Sequence, residues 1–395
     1  MSVTTAVPNK PSVRPVSPNF SCGPATKHPG WSLDRLKGAL VGRSHRAKEA
    51  KVKLKRIVDE SKALLGLPDD YLVGIVSASD TGAIEAAMWT MLGPRPVDVF
   101  AWESFGKDWV TDCVKQLKPL EVRSFVADFG KLPDLTQANP DHDIIFTWNG
   151  TSSGVVVPNA DWIKDDRKGL TFCDATSAVF AIPLPWKKLD VITYSWQKVL
   201  GGEAQHGIII ISPRAVERLE SHKPAWPVPK IFRMTKEGKI NKAFFEGEVI
   251  NTPSMLCVED ALEAMDWVRS IGGAKALMAR TQANFKVLKD WVERTPWLTF
   301  LPEVVEQRSP TSVCMKLADP ALMQLSRDQQ AEFCKKLTGM LAKEGVDYDI
   351  DAYRDAPPGL RIWCGGAAEA SDIAALTQWI DWAYAVCRTE MKIAA

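Results

Sequence analysis

No C-x-x-C pair occurs anywhere in this 395-residue chain. Its eight cysteines, at positions 22, 113, 173, 257, 314, 334, 364 and 387, are scattered. That pattern fits reduced thiols in a cytosolic protein and argues against a disulfide framework or a thiolate zinc site. Histidine is scarce: there are five, none in H-E-x-x-H spacing, which argues against a histidine-built metal centre. Neither sign of charge is in surplus, since 49 Lys and Arg stand against 48 Asp and Glu for a net charge of +1. Gripping nucleic acid takes a cationic surplus to neutralise phosphates, so that class is disfavoured. No apolar run approaches the ~20 residues that span a bilayer. The N-terminal stretch MSVTTAVPNKPSVRPVSP lacks the apolar core of a secretory signal. The expectation is a soluble, cytoplasmic protein with neither membrane nor nucleic acid as partner. Neither G-x-G-x-x-G nor G-x-x-x-x-G-K-[ST] occurs, which weakens dinucleotide and nucleoside-triphosphate readings.

What is present is an ordinary globular composition, 46% apolar and 25% charged. At ~150 residues per domain, the length allows two or three domains. A chain this long buries a sizeable core without a covalent staple. The first eighteen residues, rich in Pro, Ser, Thr and Val, read as a loose arm able to drape over a partner subunit. SHRAKEAKVKLKRIVDESKALLGL (44–67) reads as a long amphipathic helix, with Ser44 as N-cap and Gly66 near the C-cap. Strands and helices then alternate. YLVGIVSAS (71–79), VDVFAW (97–102), EVRSFV (121–126), DIIFTW (143–148), LTFCDA (170–175), DVITYS (190–195) and GIIIIS (207–212) read as buried strands. TGAIEAAMWTML (81–92) and GKDWVTDCVKQL (106–117) read as helices between them. Near-continuous apolar runs predict a sheet covered on both faces. The alternation predicts an α/β fold with a mostly parallel, doubly wound sheet. After about residue 254 helix dominates, with short strands at 311–317 and 359–365 and a closing helix from Ser371. The expected organisation is an arm (1–18), a large α/β domain (19–270) and a smaller α+β domain (271–395).

Ligands of open parallel sheets bind outside the carboxyl ends of the strands. Three segments there carry polar groups. Ser79-Asp80-Thr81-Gly82 opens a helix whose free N–H groups suit an anion, although an ordinary helix cap explains it as well. Asp174 follows a mostly apolar strand, where an acid is costly to bury unpaired, although it too could cap a helix. Lys198, in TYSWQKVLGG, sits at a strand end before Gly201 and Gly202, which let other backbone come close. Most lysines are solvated, but one held in such a place can have a lowered pKa and act as an imine-forming amine. Asp174 and Lys198 are 24 positions apart (198 − 174), about a strand, a loop and another strand. A lysine and an acid on neighbouring strand ends meet the needs of pyridoxal phosphate.

These segments, in order, resemble the phosphoserine aminotransferases, within the class V, fold-type I pyridoxal-phosphate enzymes. The resemblance runs through NFSCGPAT (19–26), Ser44-His45-Arg46, TWNGTSSGV (147–155), CDATSAV (173–179), SWQKVLGGEAQHGIIIIS (195–212) and Asn251-Thr252-Pro253. It implies one pyridoxal 5'-phosphate per subunit, joined covalently to Lys198, with Asp174 on the ring nitrogen and Thr151 on the phenolic oxygen. Phe105 would stack on the ring, where many members carry Trp. Gln197 and the turn Ser79, Asp80, Thr81 would hold the phosphate, with Asn251 and Thr252 from the other subunit of a homodimer. Many members have a G-G-G-R-G type loop where this chain has S-A-S-D-T-G. His45, Arg46, Arg354 and Arg361 would bind the substrate's anionic ends, and Tyr353 stands where the family carries His. Guanidinium forks suit both carboxylate and phosphate, whereas a random surface arginine would make an ion pair of ~0–1 kcal/mol.

The activity implied is amino transfer between glutamate and 3-phosphohydroxypyruvate, giving O-phosphoserine and 2-oxoglutarate for serine synthesis. A phosphorylated threonine on the pyridoxine pathway is a possible second substrate. The alternatives are another class V enzyme, such as a serine–pyruvate or alanine–glyoxylate transaminase or a cysteine desulfurase, and a non-catalytic Rossmann-like binding protein. A desulfurase needs a nucleophilic cysteine on a mobile loop, whereas Cys314 and Cys364 fall in strand-like segments.

Overall fold

The computed structural model describes residues 9–117 and 121–393. Its principal elements, in chain order, are α1 (Lys48–Leu65), β1 (Leu72–Ser77), α2 (Ser79–Met91), β2 (Val97–Ala101), α3 (Ser104–Thr111), β3 (Val122–Val126), β4 (Asp143–Thr147), β5 (Thr171–Asp174), β6 (Val191–Ser195) and β7 (His206–Ile211). They continue with α4 (Pro213–Ser221), α5 (Met255–Ser270), α6 (Ala274–Arg294), β8 (Leu298–Phe300), β9 (Ser312–Leu317), α7 (Arg327–Lys343), β10 (Gly359–Trp363) and α8 (Ala370–Glu390). Seven strands form one sheet in the order β1-β7-β6-β5-β4-β2-β3. All run parallel except β7, which is antiparallel to both β1 and β6. The mostly parallel α/β sheet expected from the sequence is therefore present.

The four isoleucines of β7 show why its apolar run is continuous. Side chains alternate between faces along a strand. Ile208 and Ile210 join Leu54 and Ile57 of α1 and Val258 and Leu262 of α5. Ile209 and Ile211 turn the other way, toward Ala83 and Met88 of α2. Both faces are covered, so all four of these positions are apolar. β3 departs from the expectation of a buried strand. It lies at the sheet edge, where Arg123, Ser124 and Val126 are exposed. Arg123 there pairs with Asp98 of β2 through two hydrogen bonds, at 2.7 and 2.6 Å.

Three helix starts also differ from expectation, α2 opening at Ser79 rather than Thr81. α1 begins at Lys48 rather than Ser44, because the Ser44 hydroxyl is engaged in a local turn, accepting from the Arg46 N–H. Its C-terminus behaves as expected: Gly66 is left-handed, at φ +62°. α3 starts two residues early, because the Glu103 side chain caps it by accepting the Gly106 N–H. It ends in a π turn over Asp112–Gln116.

A separate three-stranded antiparallel sheet, β8-β9-β10, packs with α6, α7 and α8 around Trp291, Met315, Phe333, Ile362 and Trp379. Of the arm expected over residues 1–18, residues 1–8 lie outside the described residues. Residues 9–18 run along this smaller unit of the same chain. Lys10 pairs with Glu344, the Val16 and Ser17 N–H groups donate to Asp372, and Trp379 Nε1 donates to the Val13 carbonyl.

The large sheet is anchored by a buried ion pair. Asp143, at the start of β4, is fully buried and accepts from Arg218 Nη1 at 2.7 Å, Arg218 Nη2 at 3.1 Å and the Leu170 N–H at 2.8 Å. Replacing Arg218 with Ala strands that carboxylate without a counter-ion, which typically costs ~3–5 kcal/mol. Urea unfolding of Arg218→Ala is expected to show a loss of that size; a loss below ~1 kcal/mol would mean that the pair does not hold the sheet.

Candidate active site

β6 ends at Ser195 and delivers Trp196, Gln197 and Lys198 into a turn closed by the Gly201 N–H donating to the Lys198 carbonyl at 2.9 Å. Gly201 is left-handed, at φ +66°, and a Cβ there would stand 2.3 Å from the Thr26 carbonyl oxygen. The bare α-carbon lets residues 22–26 lie over the lysine. The Ala25 N–H donates to the Gln197 carbonyl at 2.7 Å, and the Lys198 amine donates to the Cys22 carbonyl. Gly23 is equally constrained: its φ is +145°, and a Cβ would fall 2.3 Å from Lys198 Nζ. Lys198 is thus only 9% exposed. Burial, joined by the Arg361 guanidinium, lowers its pKa below that of ordinary lysine, although Asp174 and Glu103 pull the other way.

Three carboxyls share this space. Asp174 ends β5 and accepts the Thr176 N–H at 3.1 Å. Asp80, in the first turn of α2, is 7% exposed and turns inward to lie within hydrogen-bonding reach of Asp174. Burial, then the neighbouring Asp174, raise its pKa well above the usual carboxylate range. Glu103 follows β2 and is fully buried, accepting from the Gly106 N–H at 2.5 Å and from Ser152 Oγ at 2.9 Å. Burial pushes its pKa up to about 7.

The turn before α2 is braced by the Gln205 carbonyl, which accepts the Ala78 and Ser79 N–H groups at 3.1 and 3.3 Å. Ala78 and Ser79 are both left-handed, at φ +65° and +52°, a conformation that costs a non-glycine residue of order 1–3 kcal/mol. Ser79 is half-buried and Thr81 exposed, and the first N–H groups of α2 have no carbonyl a turn earlier. Thr151 lies in the buried turn that follows β4, its carbonyl accepting from Ser312 Oγ of β9 at 2.6 Å; that hydroxyl is also 3.1 Å from Cys22 Sγ. Phe105 opens α3, its ring 5.8 Å from that of Tyr353. The guanidiniums of Arg354 and Arg361 lie 5.5 and 5.4 Å from the Tyr353 ring, a cation–π arrangement on both. Arg354 points outward, at 80% side-chain exposure, with its Nε 3.8 Å from an Asp355 carboxylate oxygen. Arg361 points inward.

Four expected residues lie elsewhere. His45 and Arg46 line a cleft of about 100 Å³ with Lys51, Leu54 and Gly247–Val249. Burial and Arg46 lower the His45 pKa. Asn251 and Thr252 are exposed along the edge of β1, where Ser77 Oγ donates to Asn251 Oδ1 of the same chain. Sequence reasoning passed over Glu103, Ser152 and His206. Glu103 follows an apolar strand just as Asp174 does, so the same signal would have found it. His206 is masked by its strand; burial lowers its pKa to about 4.

The residues around Lys198 suit pyridoxal phosphate. Among the described residues, Gln197 Oε1, Ser195 Oγ and Arg361 Nε are buried without a protein partner, as they would be where a polar ligand completes them. The buried amine, the inward acid, the Phe105 ring and the open end of α2 match the aldehyde, ring nitrogen, ring face and phosphate of that group. No cluster of three or more metal-ligating side chains occurs among the described residues. Seven cysteines are buried and Cys257 half-buried, so none is the mobile nucleophile of a desulfurase.

Glu103 carries a pH signature. Its folded pKa of about 7 lies above its ordinary 4.5, so the folded state binds the extra proton between those values. Its contribution to stability is greatest below about 4.5 and falls as pH rises through about 7. In urea titrations across that range, Glu103→Gln should lose less stability than the parent; parallel curves would show that Glu103 is ionised throughout.

No family model matches the chain. The chain is 56% identical over 375 residues to a phosphoserine aminotransferase of Methanosarcina barkeri, covering 95% of this chain and 99% of that one. A phosphoserine aminotransferase structure from Cytophaga hutchinsonii superposes with a TM-score of 0.77 at 21% identity, covering 92% of this chain and 98% of that one. An alanine–glyoxylate aminotransferase of Nostoc superposes nearly as well, at 0.75 with 18% identity over 95% and 97% of the two chains, so the fold alone does not separate the two activities. The sequence relationship does: this chain belongs to the phosphoserine aminotransferase family.

Proposed function

We propose that the chain moves an amino group between glutamate and 3-phosphohydroxypyruvate, giving O-phospho-L-serine and 2-oxoglutarate in serine synthesis, with pyridoxal 5'-phosphate covalently on Lys198. The observation that carries this reading is the buried Lys198 amine sharing one enclosure with Asp174 and Arg361. The 56% identical relative, named phosphoserine aminotransferase, supports the choice of substrates.

When bound, pyridoxal phosphate supplies an aldehyde that exchanges amines and a ring that takes up electrons released at the substrate's α-carbon. Lys198 holds more of its amine uncharged at neutral pH than a free lysine does, which suits a nucleophile and a base. As general base it removes the α-proton, and as general acid it returns one. Asp174 would hold the proton of the ring nitrogen, Thr151 would bond the phenolic oxygen and Phe105 would cover the ring. Gln197 and the Ser79–Thr81 turn would meet the phosphate. Arg361 grips an anionic end of the substrate, and Tyr353 keeps that guanidinium in place. Because His45, Arg46, Asn251 and Thr252 line other surfaces, their roles call for a homodimer in which each chain completes its partner's site. The same grip on carboxylate and phosphate would admit 4-phosphohydroxy-L-threonine, a pyridoxine precursor. We assign residues 19–270 to a cofactor-holding domain and 271–395 to a smaller domain, and place the protein in the cytoplasm. Among the described residues, no helix is long and apolar enough to cross a membrane.

The purified protein is expected to be yellow, to turn over phosphoserine with 2-oxoglutarate, and to lose its visible band in Lys198→Ala. Exchange with alanine and glyoxylate, but none with phosphoserine, would overturn the substrate assignment. Borohydride reduction followed by mass spectrometry should place the cofactor on the peptide containing Lys198, and Gly23→Ala should prevent that adduct by occupying the amine's space. Arg46→Ala should raise KM for both substrates by roughly 10- to 100-fold, as expected for one lost charge-assisted contact of about 1.5–3 kcal/mol. An unchanged KM would remove Arg46 from the site.

A further inference from the structure

We propose that Asp80 is a positioning residue: a neutral carboxyl that donates its proton to Asp174 and so fixes the carboxylate that meets the ring nitrogen. The proposal rests on the pyridoxal-phosphate reading for the identity of that ring, but its geometry stands in the protein alone. Asp80 lies in the first turn of a thirteen-residue helix, where a carboxylate commonly faces solvent or a ligand. Here the side chain turns away from the helix end and into the protein. It reaches Asp174, and its Oδ1, like the nearby hydroxyls of Thr176 and Thr193, is buried without a hydrogen-bond partner among the described residues. The titratable neighbours of the pair are Cys173, Glu103 and Lys198. Cys173 lies in the same strand as Asp174 and feels the charge of both acids, whereas Glu103 and Lys198 act on Asp174. Among the described residues, the groups that act on Asp80 are Asp174, Thr193 and Thr176, and none is a cation.

Two carboxyls in contact, away from water and without a cation between them, cannot both be charged. Asp174 already accepts a backbone N–H from Thr176, which favours an anion there. Asp80 has no such donor among the described hydrogen bonds, so the shared proton resides on Asp80. This arrangement also reconciles an acid with a phosphate site. An ionised Asp80 at the N-terminus of α2 would repel a phosphate, whereas a neutral one leaves the N–H groups free to attract it. The carboxyl therefore serves the ring nitrogen from behind, and the backbone of the same turn serves the phosphate.

Infrared difference spectra of the full chain, with and without pyridoxal phosphate, read protonated carboxyls through their C=O stretch and its shift in D2O. The measurement is made well above both the Glu103 pKa of about 7 and the Asp347 pKa of about 8, so that neither acid contributes the band. A protonated-carboxyl band is expected in the parent and in Glu103→Gln, and it should vanish in Asp80→Asn. Its absence from the parent, or its survival in Asp80→Asn, would overturn the proposal. In the loaded protein, Asp80→Ala should raise the pH midpoint of the visible band by about one unit, because Asp174 loses a donor and holds more negative charge. Asp80→Asn, whose amide still donates, should move it less than half as far; equal shifts in both variants would mean a merely structural role. The spectra of the stripped protein can fail while amino transfer stands. Conversely, a missing adduct on Lys198 would sink the amino-transfer reading and leave the infrared result intact.

Discussion

The close approach of two backbone segments around one amine governs this site. Residues 22–26 cross over Lys198 because Gly201 presents no side chain to the Thr26 carbonyl and Gly23 presents none to the amine. That crossing buries Lys198, orients it through the Cys22 carbonyl and lowers its basicity by excluding water. The two glycines lie 178 positions apart (201 − 23), so the site forms only when the N-terminal segment has docked on the finished sheet. Catalytic readiness is in this sense a product of folding rather than of any one loop.

The second organising feature is charge held out of water. Asp80, Asp174 and Glu103 converge on a region whose cations are Lys198 and Arg361. Such a set can be buried only if protons reside on some of its acids. Burial raises both Asp80 and Glu103, which keeps the negative charge from exceeding what two cations offset. A ligand bearing a ring cation and a phosphate dianion would then enter a site already arranged for both. The left-handed pair Ala78 and Ser79 adds strain at the turn that would face the phosphate, as is common where backbone is preorganised for binding.

The larger architecture serves that convergence. Parallel strands bring the ends of β4, β5 and β6 to one side, and the antiparallel β7 returns the chain to buttress the turn before α2 through Gln205. The smaller sheet contributes Ser312 and Arg361 from adjacent strands, paired through Cys314 opposite Arg361. Tyr353 bridges the units by meeting Phe105 on one side and the arginines on the other.

Local pattern was enough to place the strands, because an apolar run such as GIIIIS has no solvent-facing position in a doubly covered sheet. It was also enough to pick out Asp174 and Lys198, since a polar residue at the end of such a run is conspicuous. The sequence could not tell that β3 is an edge strand, because edge position depends on which strands arrive on either side. Nor could it tell that Asp80 turns inward onto Asp174, that Glu103 joins them, or that Arg46 and Asn251 stand apart from Lys198. Those are relations between segments far apart in the chain, and only the packing of helices on the sheet decides which side chains share a space without water.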